Sequence, residues 1–321
     1  MDVGEFYLIY MTQKRDSYKV AVLLCTYNGE KYLEEQINSI LNQQGVSVNI
    51  FIRDDGSTDG TVSIIKKYVE QFHNISFVDC GKHLGPGLGF LKLLKYVFHR
   101  CAPFDYYSFS DQDDIWLSDK LLAAVKMMQD KTNTPILYCS NQYIYQDGQV
   151  IRERFDKDPD ISLEGHISKN YLSGCTMVLN YELAKIVAEA KYPSRQLLKY
   201  RLHDSMIFLI ALCTGEVVYD KTPHIYYRIH ENNTVGLKNI TFKERLKKLF
   251  NQDAKNLRRN TAQYLIKNYT VKEDKKRFLL DFCNYAHDKE ARKRIMRNKR
   301  ITLLSGENRS LFIIKILSDY I

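Results

Sequence analysis

The sequence predicts an α/β domain built on a doubly wound mixed sheet flanked by helices, with a basic α-helical C-terminal extension. Three observations predict it. Short apolar β-type runs alternate with helix-period segments four times between Lys19 and Gln129, the pattern of βαβ units joined by short connections. From Thr134 onward, strands and helices follow in a less regular order, which makes the sheet mixed. Beyond about Thr241 the chain has helical periodicity, is basic and contains neither glycine nor proline until Gly306.

The elements follow in order. Lys19–Cys25 is an apolar run ended by the turn residues Tyr27-Asn28-Gly29, hence a strand. Glu30–Gln43 places Leu33, Ile37, Ile40 and Leu41 at helical spacing. Val48–Arg53 alternates like a strand and stops at Asp54-Asp55-Gly56, after which Ser57-Thr58-Asp59 offers caps for a helix carrying Val62, Ile65, Val69 and Phe72. Ile75–Val78 is a third strand and Phe90–His99 a third helix. Tyr106–Ser110 is a fourth strand that runs into Asp111-Gln112-Asp113-Asp114, and Ser118 is the expected cap of a fourth helix, Asp119–Gln129. Further on, Ile136–Gln146 and Gln149–Arg154 read as strands about an Asp147-Gly148 turn. Thr176–Leu179 reads as a strand, Tyr181–Ala190 and His203–Cys213 as helices, and Val217–Tyr219 and Ile225–Tyr227 as short strands.

Composition narrows the class. With 45% hydrophobic and 26% charged residues the chain is ordinary for a globular protein, and no apolar stretch approaches the roughly 20 residues that cross a bilayer. Met1–Asp16 does not read as a signal peptide. Seven widely spaced cysteines without a Cys-x-x-Cys pair argue against a disulfide framework or a zinc site and suit a reducing cytosol. Residues 238–321 hold 22 Lys+Arg and 9 Asp+Glu, net +13 against +9 for the whole chain, so residues 1–237 are net −4. The basic character belongs to the tail.

Three polar clusters end strands, where ligands bind in doubly wound sheets. Asp111, Asp113 and Asp114 crowd like charges that a hard cation such as Mg²⁺ or Mn²⁺ relieves. The same run also suits a solvated cap of the next helix. Asp54 through Thr61 suits close approach of a ligand to the backbone, or simply a tight capped turn. Thr26-Tyr27-Asn28 lies beside it. Neither a phosphate-binding P-loop nor a dinucleotide fingerprint occurs at these turns.

Taken together, Cys25-Thr26-Tyr27-Asn28-Gly29, Arg53-Asp54-Asp55-Gly56-Ser57-Thr58-Asp59-Gly60-Thr61 and Phe109-Ser110-Asp111-Gln112-Asp113-Asp114-Ile115-Trp116 resemble family 2 glycosyltransferases of the GT-A fold in order and interval. The resemblance extends to about residue 236. It implies that Thr26, Tyr27, Asn28, Asp55 and Asp111 bind the donor nucleotide, with Asp55 on a ring N–H of the base. It implies a metal, Mg²⁺ or Mn²⁺, on Asp113, Asp111 and His230. Gly174, Cys175 and His203 would lie on the acceptor side, and Asp204 would be the general base of an inverting transfer. His83-Leu84-Gly85 departs from the family's Asn-x-Gly. The acidic run and Tyr227 through Asn233 look most like rhamnosyltransferases that use dTDP-rhamnose, with a UDP-hexose enzyme as the alternative.

The partners so implied are a nucleotide-diphosphate sugar and a lipid-linked glycan of a capsular or other surface polysaccharide. The expected place is cytoplasmic, peripheral at the inner face of the membrane. Two competing readings are a nucleotidyltransferase, which lacks here its glycine-rich basic first loop, and a sugar-nucleotide-binding scaffold. Residues 1–237 form the expected catalytic domain. Residues 238–321 are a basic helical region that suits an anionic membrane surface, or else a solvated face or homodimer contact. No nucleic-acid module accompanies the charge.

Overall fold

In the computed structural model, the described residues are 17–80, 83–131, 133–231, 255–303 and 305–319. In chain order they form β1 (Tyr18–Thr26), α1 (Leu33–Leu41), β2 (Val46–Asp54), α2 (Thr61–Gln71), β3 (Ile75–Cys80), α3 (Gly85–Arg100), β4 (Tyr106–Ser110), β5 (Ile115–Trp116) and α4 (Lys120–Met128). Then come β6 (Ile136–Ser140), β7 (Tyr143–Gln146), β8 (Gln149–Glu153), α5 (Leu163–His166), a 3₁₀ turn (Gly174–Thr176), β9 (Val178–Asn180), α6 (Tyr181–Glu189), α7 (Arg195–Tyr200), α8 (His203–Thr214), β10 (Glu216–Asp220) and β11 (Ile225–Arg228). The tail holds α9 (Leu257–Asn268), α10 (Glu273–Asn284), α11 (Lys289–Arg297), α12 (Arg300–Leu303) and α13 (Arg309–Leu317).

The main sheet has seven strands in the order β10-β6-β9-β4-β1-β2-β3. β1 is parallel to β2 on one side and to β4 on the other, while β9 runs antiparallel between β4 and β6. The chain builds outward from β1 through β2 to β3, then returns to lay β4 on β1's other edge. That reversal is the topological switch point, and it opens a crevice at the carboxyl ends of β1 and β4. Register brings the strand ends level: Thr26 sits opposite Asp54, and Leu24 opposite Ser110. The polar loops therefore meet.

Several expectations are corrected. The single strand expected over Ile136–Gln146 is two strands in two sheets. Asn141 bends the chain between them, its side chain accepting Gln142 N at 3.0 Å and donating to Glu153 Oε2 at 2.9 Å. β7 then joins β5, β11 and β8 in a four-stranded sheet. Thr176 belongs to the 3₁₀ turn, and the strand proper starts at Val178. Ser118 does not cap α4. Asp119 occupies that position without a capping side chain, because its carboxylate meets His224 Nδ1 at 3.1 Å. The short helices α5 and α7 carry too little periodicity to stand out in the sequence.

The core lies on both faces of the sheet. α1, α2 and α4 bury Leu33, Ile37, Ile65, Leu121 and Val125 on one face. On the other, α3 and α8 bury Phe90, Leu94 and the whole run Met206–Ala211. α8 is apolar all round, as befits a helix enclosed by protein. The tail packs on this second face: Leu265, Leu279, Phe282, Tyr285, Phe312 and Ile316 belong to the same apolar cluster. Backbone and side chain of Lys272 donate to Cys213 O and Gly215 O, both at 2.8 Å, and Arg201 Nε donates to Thr261 Oγ1 at 2.7 Å. The boundary expected at 237/238 and the apolar positions Leu246, Leu249 and Phe250 lie outside the described residues.

Gly215 marks a close approach between α8 and the sheet. A Cβ added there would lie 1.9 Å from the Pro135 carbonyl oxygen, a backbone atom that cannot swing aside. Gly215→Ala is therefore expected to cost about 2 kcal/mol, seen as a melting temperature about 3 °C lower by calorimetry. An unchanged melting temperature would refute the close approach.

Candidate functional site

The loop after β1 is stitched to the loop after β2. The Asp54 carboxylate, fully buried, accepts Thr26 Oγ1 at 2.8 Å, Gly56 N at 3.0 Å, Ser57 N at 2.8 Å and Ser57 Oγ at 2.5 Å. Asn28 adopts a left-handed φ of 49°, which Asn tolerates better than most residues. In that conformation its Oδ1 accepts Thr58 N at 2.8 Å and its own N–H donates to Ser57 Oγ at 2.8 Å. Gly29 N then donates to Thr61 Oγ1 at 2.8 Å. Thr26 is consequently buried, while the Tyr27 ring stands exposed and lies 4.8 Å from the His83 ring.

The acidic loop joins from β4. Gln112 clamps the Tyr27 backbone on both sides, accepting Tyr27 N at 2.8 Å and donating to Tyr27 O at 3.0 Å. Asp113 Oδ2 meets His230 Nε2 at 2.8 Å. Arg228 donates through Nε to Asp113 O at 2.9 Å, and its guanidinium lies 4.6 Å over the Tyr32 ring. Asp111 is half-buried, and burial, then the charges of Asp113 and Asp204, raise its carboxyl to about 7. Asp114 is buried and raised well above the usual range, first by burial and then by Asp113 and Asp111. Underneath, fully buried Lys120 donates to Ser108 Oγ at 3.1 Å and sits 3.7 Å over the Trp116 ring, with burial lowering its ammonium to about 7.

The fourth wall comes from the 3₁₀ turn and α8. Asp204, in the first turn of α8, accepts Ser205 N at 2.6 Å and Asn170 Nδ2 at 3.0 Å. Burial raises its carboxyl to about 6, with hydrogen bonding and the Arg154 charge opposing. Gly174 packs so closely that a Cβ would lie 3.3 Å from Asp204 Cβ and 2.7 Å from His203 Nε2. The same turn touches both acidic groups: a Gly174 Cβ would meet Asp204 Cβ at 3.3 Å, and Cys175 Sγ lies within 4.8 Å of ligand atoms of Asp111 and Asp114, so Asp204 and the acidic loop flank one short turn.

His203 and Cys175, expected on the acceptor side, are buried. The His203 ring packs 4.1 Å from Phe90 and 5.1 Å from Phe109, and burial lowers it to about 3. Asp114 is part of the convergent acidic group. Ligand atoms of Asp111, Asp114 and Cys175 lie within 4.8 Å of one another. The Cys175 thiol is pushed up by burial and by Asp114 and Asp111, so it stays protonated and the donors on offer are carboxylate oxygens. Hard oxygen donors under mutual repulsion fit Mg²⁺ or Mn²⁺. Asn232 and Asn233 of the late motif lie outside the described residues. Gln112, Asn170, Arg154 and Lys120 escaped notice, and only Gln112, inside the acidic run, carried a signal.

A family model described as glycosyl transferase family 2 matches residues 21–186. The chain is 34% identical over 233 residues to the dTDP-rhamnosyl transferase RfbG of Shigella flexneri, covering 70% of this chain and 78% of that protein. It is 28% identical over 160 residues to the putative teichuronic acid biosynthesis glycosyltransferase TuaG of Bacillus subtilis, covering 50% and 61%. Among solved structures it resembles S. aureus TarS 1-349 in complex with UDP-GlcNAc, with a TM-score of 0.61 and 17% identity, covering 94% of this chain and 88% of that one. At that identity the likeness is one of fold.

The acidic cleft makes a binding prediction that needs no turnover. Mn²⁺ at about a hundredfold its dissociation constant should stabilise the chain by about 2.7 kcal/mol, read as a rise of several degrees in melting temperature. Asp111→Asn and Asp113→Asn should each abolish most of that rise. A rise undiminished in both variants would place the cation elsewhere.

Proposed function

Because the chain belongs to glycosyltransferase family 2 and is a glycosyltransferase of the GT-A fold, we propose that it moves L-rhamnose from dTDP-rhamnose, with inversion, onto a lipid-linked intermediate of a cell-surface or capsular polysaccharide. The observation that carries the donor reading is the 34% identity, over most of both chains, to a protein named a dTDP-rhamnosyl transferase. The relative named for teichuronic acid biosynthesis supports a surface polymer as the product class.

The residues divide the work by position. Tyr27, Asn28 and Asp111 form the nucleotide end of the cleft, with buried Thr26 and Asp55 beside them in the same set. Asp111, Asp113 and His230 would hold Mg²⁺ or Mn²⁺. When bound, that ion supplies Lewis-acid stabilisation of charge on the departing diphosphate. Gly174, backed by Cys175 and His203, shapes the acceptor side. Asp204 takes the proton of the acceptor hydroxyl as that oxygen bonds to the anomeric carbon and the bond to the diphosphate oxygen breaks. Ser205 N–H and Asn170 orient the Asp204 carboxylate, and a value of about 6 leaves it ionised yet basic near neutrality.

We place the enzyme peripherally at the cytoplasmic face of the membrane. The support is the net +13 of residues 238–321 together with exposed Leu303, Ile314 and Leu317. Among the described residues, no helix is long and apolar enough to cross a bilayer.

Asp204→Asn should lower kcat by about 10²–10⁴-fold while dTDP binding measured by calorimetry stays unchanged. In the native protein kcat/KM should climb as pH rises through about 6 and then level off, since only ionised Asp204 accepts a proton. Native turnover in the variant would remove Asp204 from this role. A panel of nucleotide sugars assayed with Mn²⁺ tests the donor: turnover of UDP-hexoses but not dTDP-rhamnose would favour the alternative donor.

A further inference from the structure

Arg201 is a charge buried where no counter-ion meets it. The residue is 3% exposed, and among the described residues it makes no ion pair. A guanidinium does not shed its proton in a protein, so hydrogen bonds must replace its lost hydration. Two elements far apart in the chain supply them. Nε donates to Thr261 Oγ1 of α9 at 2.7 Å. Nη1 donates to His166 O at 3.4 Å and Nη2 to Ile167 O, the carbonyls that end α5. Carbonyls at a helix end have no partner inside the helix and favour a cation. Thr261 is fully buried, and its hydroxyl donates to Leu257 O at 2.6 Å, which leaves its lone pairs for Arg201.

The two segments joined at Arg201 lead to one contact. Asp204 follows Arg201 by three residues in the first turn of α8. Asn170 follows Ile167 by three residues, and its Nδ2 donates to Asp204 Oδ2 at 3.0 Å. The backbone around both is tied down locally: Arg201 N donates to Leu197 O at 2.9 Å, and Asn170 Nδ2 also donates to Leu172 O at 2.9 Å. One guanidinium therefore holds together the segment that carries the carboxylate and the segment that carries the amide orienting it. The tail enters this arrangement through a single hydroxyl.

We propose that Thr261, a tail residue, is a positioning residue for the transfer: through Arg201 it holds Asp204 and Asn170 in the arrangement the proton acceptor needs. The inference rests on the reading of Asp204 as proton acceptor above and deepens it. It gives the tail a part in the geometry of the reaction that is separate from any attachment to a membrane.

Steady-state kinetics on the full chain with Mn²⁺ and dTDP-rhamnose test this, beside dTDP calorimetry. Thr261→Val keeps the shape of the side chain and removes the hydroxyl, so Arg201 Nε loses its acceptor. kcat should fall about tenfold, the scale of a small misplacement at a reacting group, while KM for the donor and dTDP affinity stay within about twofold of native. Thr261→Ser restores the acceptor and should recover native kcat. Arg201→Lys breaks the same link from its other side, since an ammonium cannot span all three acceptors, and should lose kcat to a similar extent. In the Asp204→Asn background, Thr261→Val should change the residual rate by less than about twofold, because residues that act as a unit are not additive. Native kcat in Thr261→Val or Arg201→Lys, no recovery in Thr261→Ser, or a further tenfold loss in the Asp204→Asn background would each overturn the inference and leave Asp204 as the proton acceptor. Native turnover in Asp204→Asn would overturn that reading itself, and this inference with it.

Discussion

The buried carboxylate of Asp54 is the group on which the arrangement of the cleft depends. It has no exposed surface and is tied to Thr26, Gly56 and Ser57. Burying a charge without such partners costs several kcal/mol (~) in practice, so the two loops can close over it only in the conformation that supplies every donor. That conformation turns Asn28 left-handed and stands Tyr27 up into solvent. Parallel pairing of β1 with β2 and β4 sets the strand ends level, and Asp54 converts level strand ends into one continuous rim. Gln112 extends the rim to the acidic loop through the Tyr27 backbone.

Much of this was legible in the sequence, for identifiable reasons. Four strand–helix alternations have strong local periodicity, and each polar cluster sits where a strand must stop, so both the sheet and the location of the cleft could be read. The spatial pairings could not. That His230 and Asp113 belong together was implied by the resemblance alone; their contact depends on β11 pairing with β5 across more than a hundred residues, and no local pattern encodes it. The break at Asn141 was invisible because the residues on either side are equally strand-like, and only the side chain's four-way bonding to backbone and Glu153 turns the chain. Lys120 reads as an ordinary first-turn cation, and its burial follows from Trp116 and Ser108 closing over it. His203 and Cys175 were expected beside the site from the resemblance alone, which does not say whether a side chain is exposed or buried.

The tail had been read from its charge. Its apolar positions settle inside the same chain, on the face of the sheet that carries α8, and its cations are partly spent internally: Arg258 and Lys315 flank the half-buried Glu307 carboxylate at 2.6 and 2.7 Å, and Arg294 grips Asp281 with two hydrogen bonds. An amphipathic pattern therefore described a packing surface as faithfully as it would describe a membrane-facing one. What remains at the surface of the described tail is a smaller apolar set, Leu280 on α10 and Leu303, Ile314 and Leu317 among the basic residues of α11 to α13.

α8 joins these two halves of the molecule. One end carries Asp204 in its first turn; just past the other, Lys272 holds Cys213 O and Gly215 O. Being enclosed on all sides, the helix has no soft flank to absorb a displacement, and a shift of a fraction of an ångström at one end is delivered at the other. The tail is thus linked through one rigid helix to the residue that opens it, Asp204. A substitution in the tail acts on geometry some twelve helical residues away.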